Sequence, residues 1–341
     1  MTPNKMKLTL TKTPMSQNPN SKSSIHSNQS KRRTRYKRDA DDPRRGKFQS
    51  RGDNEIILLV HEYKYLTRTL LELLTGRKGT SLKNRLRFLY DNGYLLKVQF
   101  SRSYTETGST PDIYILDEQG REVYQKITGQ KADPSPKRNQ NKDPQLEHAL
   151  LVNSVRAIMT NACANSAGAK LQYWLRSGKD ARDVVKVDGR QQTIAPDAFF
   201  VLKKPDGKAS PFFLEADRST MDQPTFTDKL RAYYAYWRAI RDELDGQKGS
   251  PKKRVSNRFN IQGFRVLTVI EHDRDWQRYR NKDRLSHLLE AGINATDGKG
   301  FKGFWYTSKA HLDPNDPASI FKPIWHIAHP SEKGKLHSLL E

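Results

Sequence analysis

The chain has 341 residues, a net charge of +23, a pI near 9.9, 35% hydrophobic residues and a mean hydropathy of −0.88. Such an excess of positive charge points to a polyanion as partner. No run approaches the ~20 apolar residues that cross a bilayer and no signal-peptide core follows the N-terminus, so nucleic acid is preferred over a membrane surface. The single cysteine, Cys163, excludes an internal disulfide and a cysteine-based zinc cluster. It fits a reducing, cytoplasmic, DNA-associated location.

Residues 1–50 are rich in Ser, Asn, Lys, Arg and Pro, lack apolar periodicity and are expected to be disordered. They carry a formal charge of about +10. Within the run Lys31–Arg38, Arg32, Arg33 and Arg35 are candidate contacts to DNA phosphates.

From Asn54 the texture changes, and residues 51–128 are expected to form one domain. Glu55–Tyr63 reads as a helix. Thr67 is a plausible N-cap for a second helix burying Leu70, Leu71 and Leu74. A third helix, capped by Thr80 or Ser81, runs to Tyr90 and ends at Asp91-Asn92-Gly93. Tyr94–Phe100 and Asp112–Leu116 then read as paired strands. Three helices followed by a hairpin are the plan of a winged helix-turn-helix. Leu82, Leu86 and Leu89 form the inward stripe of the third helix, so Ser81, Lys83, Asn84 and Arg87 project outward, where a recognition helix meets a major groove. The loop 101–110 is the expected wing tip, with Arg102 its phosphate contact.

Residues 129–143 read as a Pro- and Lys-rich linker. Beyond it, 144–341 is expected to be a second domain. Gln145–Asn161 is a helix with apolar residues on several sides, and Glu147 and His148 lie on it. Leu171–Leu175 reads as a strand. Ala198–Leu202 and Pro211–Leu214 flank a Pro-Asp-Gly turn and read as a hairpin. Phe226–Leu244 is a helix whose aromatic stripe reads as core. Phe264–Ile270 is a near-continuous apolar strand of the buried parallel kind. Leu285–Ala291, Phe304–Thr307 and Pro323-Ile324-Trp325 follow as helix, strand and terminal strand or packing segment. This order fits a mixed sheet covered by helices.

The chemistry gathers at the hairpin. Glu215 and Asp217 alternate along a strand and so share a face, and strand pairing brings Asp197 beside Glu215. Three converging acids repel one another unless a cation joins them. Asp197, Glu215 and Asp217 are therefore candidate ligands for Mg²⁺ or Mn²⁺, which take hard oxygen donors. Pro196-Asp197 followed about 18 residues later by Glu215 resembles the PD-(D/E)XK pattern of restriction-endonuclease-like nucleases. Asp217 stands where that pattern has a lysine. The resemblance implies catalytic roles for Asp197 and Glu215, with the basic group supplied by Lys229 or by Arg218. Glu147 is either an extra acid near the metal or a solvated helix residue.

His-Ala-Leu-Leu-Val-Asn (148–153), Pro-Asp-Ala, Phe-Leu-Glu-Ala-Asp-Arg, Lys-Leu-x-x-Tyr and a late Ile-Trp, after a winged helix and a linker, together resemble the plasmid replication-relaxation family over roughly residues 50–330. That resemblance implies an α+β and α/β architecture: an N-terminal winged helix-turn-helix, then a restriction-endonuclease-like mixed sheet flanked by helices. It implies DNA, and replication or mobilisation proteins, as partners. It also implies a protein that nicks origin DNA with a metal-dependent site. The alternatives are a non-catalytic initiator or regulator on a degenerate nuclease fold, or a tyrosine relaxase using Tyr233, Tyr234 or Tyr236.

Overall fold

The computed structural model describes residues 47–98, 100, 111–132, 143–166, 168–178, 180–244, 255–271 and 283–341. The basic residues Arg32, Arg33, Arg35 and Arg102 lie outside the described residues, as do the expected wing tip and most of the expected linker.

The first part of the chain folds around three helices, α1 (Ser50–Tyr63), α2 (Arg68–Thr75) and α3 (Gly79–Asp91). A small antiparallel sheet accompanies them, ordered β1 (Leu66–Thr67), β3 (Ile113–Leu116), β2 (Leu95–Val98). Thr67 caps α2 as expected, its hydroxyl accepting from the Leu70 amide at 3.3 Å. The third helix starts earlier than expected. Its N-cap is Lys78, which makes no side-chain cap bond, so neither Thr80 nor Ser81 caps it. At its other end Gly93 supplies the left-handed turn, with φ of 78°.

A helix not anticipated from the sequence, α4 (Glu118–Thr128), follows β3 and packs on α1. Its Gly120 is required by close approach: a Cβ there would lie 2.1 Å from the Tyr94 carbonyl oxygen. Ile56, Val60, Leu71, Leu82, Leu86 and Leu116 are among the residues that close the core. The leucine stripe of α3 thus faces inward, and Lys83, Asn84 and Arg87 are exposed.

The long helix α5 (Asp143–Asn165) serves both parts of the chain. On one side Asn153, buried, donates to the carbonyls of Tyr63 and Tyr65 at 2.9 and 2.7 Å. Asn161 likewise donates to Leu73 O at 2.9 Å. Near its start Leu146 packs with Ile113 and Ile115 of β3. On the other side Leu151, Val155, Ile158 and Met159 cover a six-stranded mixed sheet. This explains why apolar residues occupy several sides of α5.

That sheet is ordered β11-β10-β9-β8-β7-β4. Its strands are β4 (Lys170–Arg176), β7 (Ala198–Lys203), β8 (Ala209–Asp217), β9 (Arg265–Ile270), β10 (Phe304–Ser308) and β11 (His326–Ile327). Strands β8, β9 and β10 are parallel; β4–β7, β7–β8 and β10–β11 are antiparallel. The parallel strands are joined through α6 (Gln223–Leu244), the short α7 (Val255–Arg258) and α8 (Arg284–Asn294); α6 and α8 cover the face opposite α5. Alternation divides β8 accordingly: Phe212 and Leu214 face α5, and Phe213 faces α6. The Phe213 ring lies 4.7 Å from Phe264 and 5.5 Å from Tyr233.

A second hairpin, β5 (Asp183–Val187) with β6 (Arg190–Ile194), was not legible in the sequence; it packs on α6 and leads into Pro196-Asp197. Near the C-terminus the paired strand is His326–Ile327, not Pro323–Trp325; Trp325 instead forms an isolated bridge with His337. Among the described residues no helix is long and apolar enough to cross a membrane.

A candidate active site at the lip of the sheet

The hairpin register pairs Ala198 with Leu214, so Asp197 falls beside Glu215 as the sequence predicts. The Asp197 amide donates to Leu214 O at 3.0 Å, and its carboxylate accepts from the Ala216 amide at 2.8 Å. These bonds fix its direction. Glu215 is buried and faces α6, where Lys229 and Tyr233 stand one helical turn apart and both donate to its carboxylate, one to each oxygen. Lys229 therefore reaches the acids. From the other side of the sheet His148, at the start of α5, brings Nε2 to 3.1 Å from Asp197 Oδ2.

Solvent exposure rises across this cluster. The Glu215 side chain is 4% exposed, Asp197 17%, Lys229 28% and His148 37%. Burial, with the neighbouring Asp197 charge, pushes the Glu215 carboxyl up to about 7; Lys229 and Tyr233 offset this only in part. Burial works against the Lys229 charge, but Glu215 and Asp197 outweigh it and raise its pKa. The hydrogen bond to Asp197 raises that of His148, against the opposing effect of burial. The site is thus a compact set of two acids and two bases with one open side.

Asp217 points to the same face as Glu215 but is engaged elsewhere. Arg284, 2% exposed, holds it with two parallel bonds, Nε to Oδ2 at 2.9 Å and Nη2 to Oδ1 at 2.8 Å. Glu147 and Arg218, also considered from the sequence, pair with each other. Arg218 lies between Glu147 and Glu271, and Lys309 reaches Glu271 at 3.2 Å. Tyr233 and Tyr236 are fully buried and donate to Glu215 and Asp183, and Tyr234 packs against Trp237 and Phe301.

Sequence reasoning missed His148 and Arg284 as partners of the acids. His148 is a polar residue at the start of a helix buried on several sides, a usable signal. Arg284 opens a helix, where the macrodipole disfavours a cation. A buried arginine there implies a carboxylate, but periodicity does not say which.

Among the described residues no group of three or more His, Cys, Asp and Glu side chains is arranged to hold a metal ion. Mg²⁺, however, is commonly held by one or two carboxylates together with water and substrate phosphates. Asp197 and Glu215 are two neighbouring carboxylates of that kind, with both Glu215 oxygens accepting bonds from Lys229 and Tyr233. On the helical part, a groove of about 880 Å³ is lined by Arg51, Arg77, Ser81, Asn84 and Arg85, among others, and by none of these acids.

A mixed α+β protein with paired acids and bases at the edge of a parallel sheet segment is the class that these features define. The sequence model of the replication-relaxation family matches residues 58–250, more than half of the chain, and the protein belongs to that family. The matched stretch contains His148, Asp197, Glu215 and Lys229, whereas Arg284 lies beyond it. Neither a curated protein nor a solved structure matches the chain.

Proposed function

We propose that this protein binds DNA in the replication or mobilisation of a plasmid or other mobile element, and that it nicks that DNA by metal-dependent phosphodiester hydrolysis. The observation that carries this reading is the convergence of Asp197, Glu215 and Lys229 in one partly open cluster. The residue types and order match the restriction-endonuclease-like pattern with its lysine moved to the next helix. The helical part serves as the winged-helix reading head, presenting Lys83, Asn84 and Arg87 from α3. Membership of the replication-relaxation family supports the setting.

Asp197 and Glu215 would hold Mg²⁺ or Mn²⁺; Asp217, tied to Arg284, keeps the end of β8 in place. The ion supplies an activated water and charge stabilisation when bound. Lys229 releases Glu215 and turns its ammonium to the scissile phosphate, where a fixed positive charge favours the transition state. His148 holds Asp197 and, protonated, would be the group to give a proton to the leaving oxygen.

Supercoiled DNA from the native locus, incubated with and without Mg²⁺ or Mn²⁺, tests the proposal. Metal-dependent conversion to the open circle, lost in Asp197→Asn, is the expected result. DNA binding without nicking under either metal would leave the second reading, an initiator or regulator on a nuclease-like scaffold. The specific observation favouring that reading is that both Glu215 oxygens already accept bonds from the protein.

A further inference from the structure

The groove on the helical part, about 880 Å³, runs along one flank of α3. Its walls come from three places: Arg51 and Glu55 at the start of α1, Arg77 in the turn after α2, and Ser81, Asn84 and Arg85 on α3. Ser81, Arg85 and Phe88 recur at helical spacing and make the α3 wall. Lys83 and Arg87, also one turn apart, lie on the opposite flank, and Asn84 stands between the two. With Leu82, Leu86 and Leu89 facing the core, the exposed side of α3 has two edges and a middle.

The three arginines are held unequally. Arg85 is clamped by the buried Asp53 and by the Lys47 carbonyl, and forms a fixed wall. Arg77 donates to Glu55 at 2.7 Å and to Gly52 O at 3.2 Å, and the side chains of this ion pair are 33% and 43% exposed. A pair so open to water is worth little and can exchange its carboxylate for another anion. Arg51 is exposed and makes no hydrogen bond or ion pair among the described residues. Ser81 and Asn84 are exposed as well, so an anion can enter from solvent. The first turn of α3 borders the same space. Its N-cap, Lys78, makes no side-chain bond to it, which leaves the first amides to water or to an anion.

A helix seated in the major groove of a duplex, about 12 Å wide, has a phosphate backbone on each side. Lys83 and Arg87 face one of them. We propose that the groove between α1 and α3 receives the other: a DNA phosphate enters it, is held by Arg51 and the first turn of α3, and draws Arg77 away from Glu55. Asn84, midway between the two backbones, is then the side chain that faces the base edges, where asparagine pairs with adenine. Glu55 is a competitor built into the groove, since its carboxylate occupies the guanidinium that the phosphate would take. The proposal rests on the DNA-reading role given to α3 above, and adds to it a second backbone contact and an acid that opposes binding.

The test measures the affinity of the full chain for duplex DNA from the native locus as a function of salt. Arg51→Gln should lower affinity and reduce the log–log slope by about one. Arg51 has no bond to lose, so the melting temperature of this variant should match that of the wild type. Glu55→Gln should act in the opposite direction and raise both affinity and slope, because it removes the competing charge while its amide oxygen can still accept from Arg77. A merely structural role would lower affinity in both variants. Ethylation of single DNA phosphates adds a positional readout. The phosphates whose ethylation ceases to matter in Arg51→Gln should lie on the opposite backbone from those released in Lys83→Ala. Unchanged slopes in Arg51→Gln and Glu55→Gln, with a reduced slope in Lys83→Ala, overturn the groove and leave α3 as the reading helix. Lower affinity in Glu55→Gln, or release of the same phosphates in Arg51→Gln and Lys83→Ala, also overturns it. Unchanged slopes in all three variants, or no DNA binding by the wild type, remove the DNA-reading role of α3 itself and the proposal with it.

Discussion

Glu215 and Asp217 leave the same face of β8, two residues apart and both nearly buried, yet they are neutralised in different ways. Asp217 meets an arginine in a two-bond fork at the sealed start of α8. Glu215 meets a lysine and a phenol on a side that opens through Asp197 and His148 to solvent. A forked guanidinium fixes one geometry, whereas an ammonium on a flexible stem is a mobile point charge. The first arrangement is a strut and the second can rearrange around a substrate.

The largest effect is expected from breaking the strut. Arg284→Met leaves Asp217 buried and unpaired, and should cost about 3–5 kcal/mol in urea unfolding. Adding Asp217→Leu should recover most of it, since replacing both members of a buried pair is often nearly neutral. Asp217→Lys, which restores the nuclease spacing in sequence, should be as harmful as Arg284→Met because it sets an ammonium against the guanidinium. A mild Arg284→Met would show that Asp217 is not held as described.

The second test addresses the open side. Under the proposed function, Asp197→Asn should abolish nicking at small cost in stability, and Lys229→Met should lower the nicking rate by about 10²-fold or more without preventing the proposed metal binding. Full activity in Lys229→Met would remove its catalytic role and erase the contrast between the two acids.

A subtler difference should appear with pH in metal-free buffer. The folded protein binds the Glu215 proton more tightly than the unfolded chain, at about 7 against an ordinary 4.5. Its contribution to stability is thus full below about 4.5 and is lost as pH rises toward about 7. The raised His148 pKa acts with the same sign, starting from its ordinary 6.5. Glu215→Gln should flatten the melting temperature between those limits, and an unchanged profile would place the Glu215 proton elsewhere. Smallest of all, Lys83→Ala and Arg87→Ala should each reduce the salt slope of DNA binding by about one, or less where Arg87 is shared with Asp91 at 3.5 Å. Unchanged slopes in both would remove α3 as the recognition helix.

What the sequence revealed depended on periodicity. The apolar runs of β7, β8 and β9 and the stripe of α6 are long and regular, and they brought Asp197, Glu215 and Lys229 together, whereas the expected convergence of Asp217 with them is replaced by its pairing with Arg284. Helix α4 escaped because it has few apolar residues and a glycine in its first turn, whose reason is the nearby Tyr94 carbonyl. The β5–β6 hairpin escaped because Arg-Gln-Gln-Thr has no apolar face to read. The Asp217–Arg284 fork joins residues 67 apart in sequence, and composition carries no trace of such a pairing.

Asn153 clamps the carbonyls on either side of Lys64, and Lys64 itself sits at φ of 64°, a conformation that an L-residue keeps only when its surroundings hold it there. The turn between α1 and β1 is therefore pinned to the same helix that carries His148 to Asp197. Under the proposed function this makes α5 a ruler. The nick would fall at a constant offset in base pairs from the sequence that α3 reads, and lengthening the spacer DNA between the two would uncouple recognition from cutting.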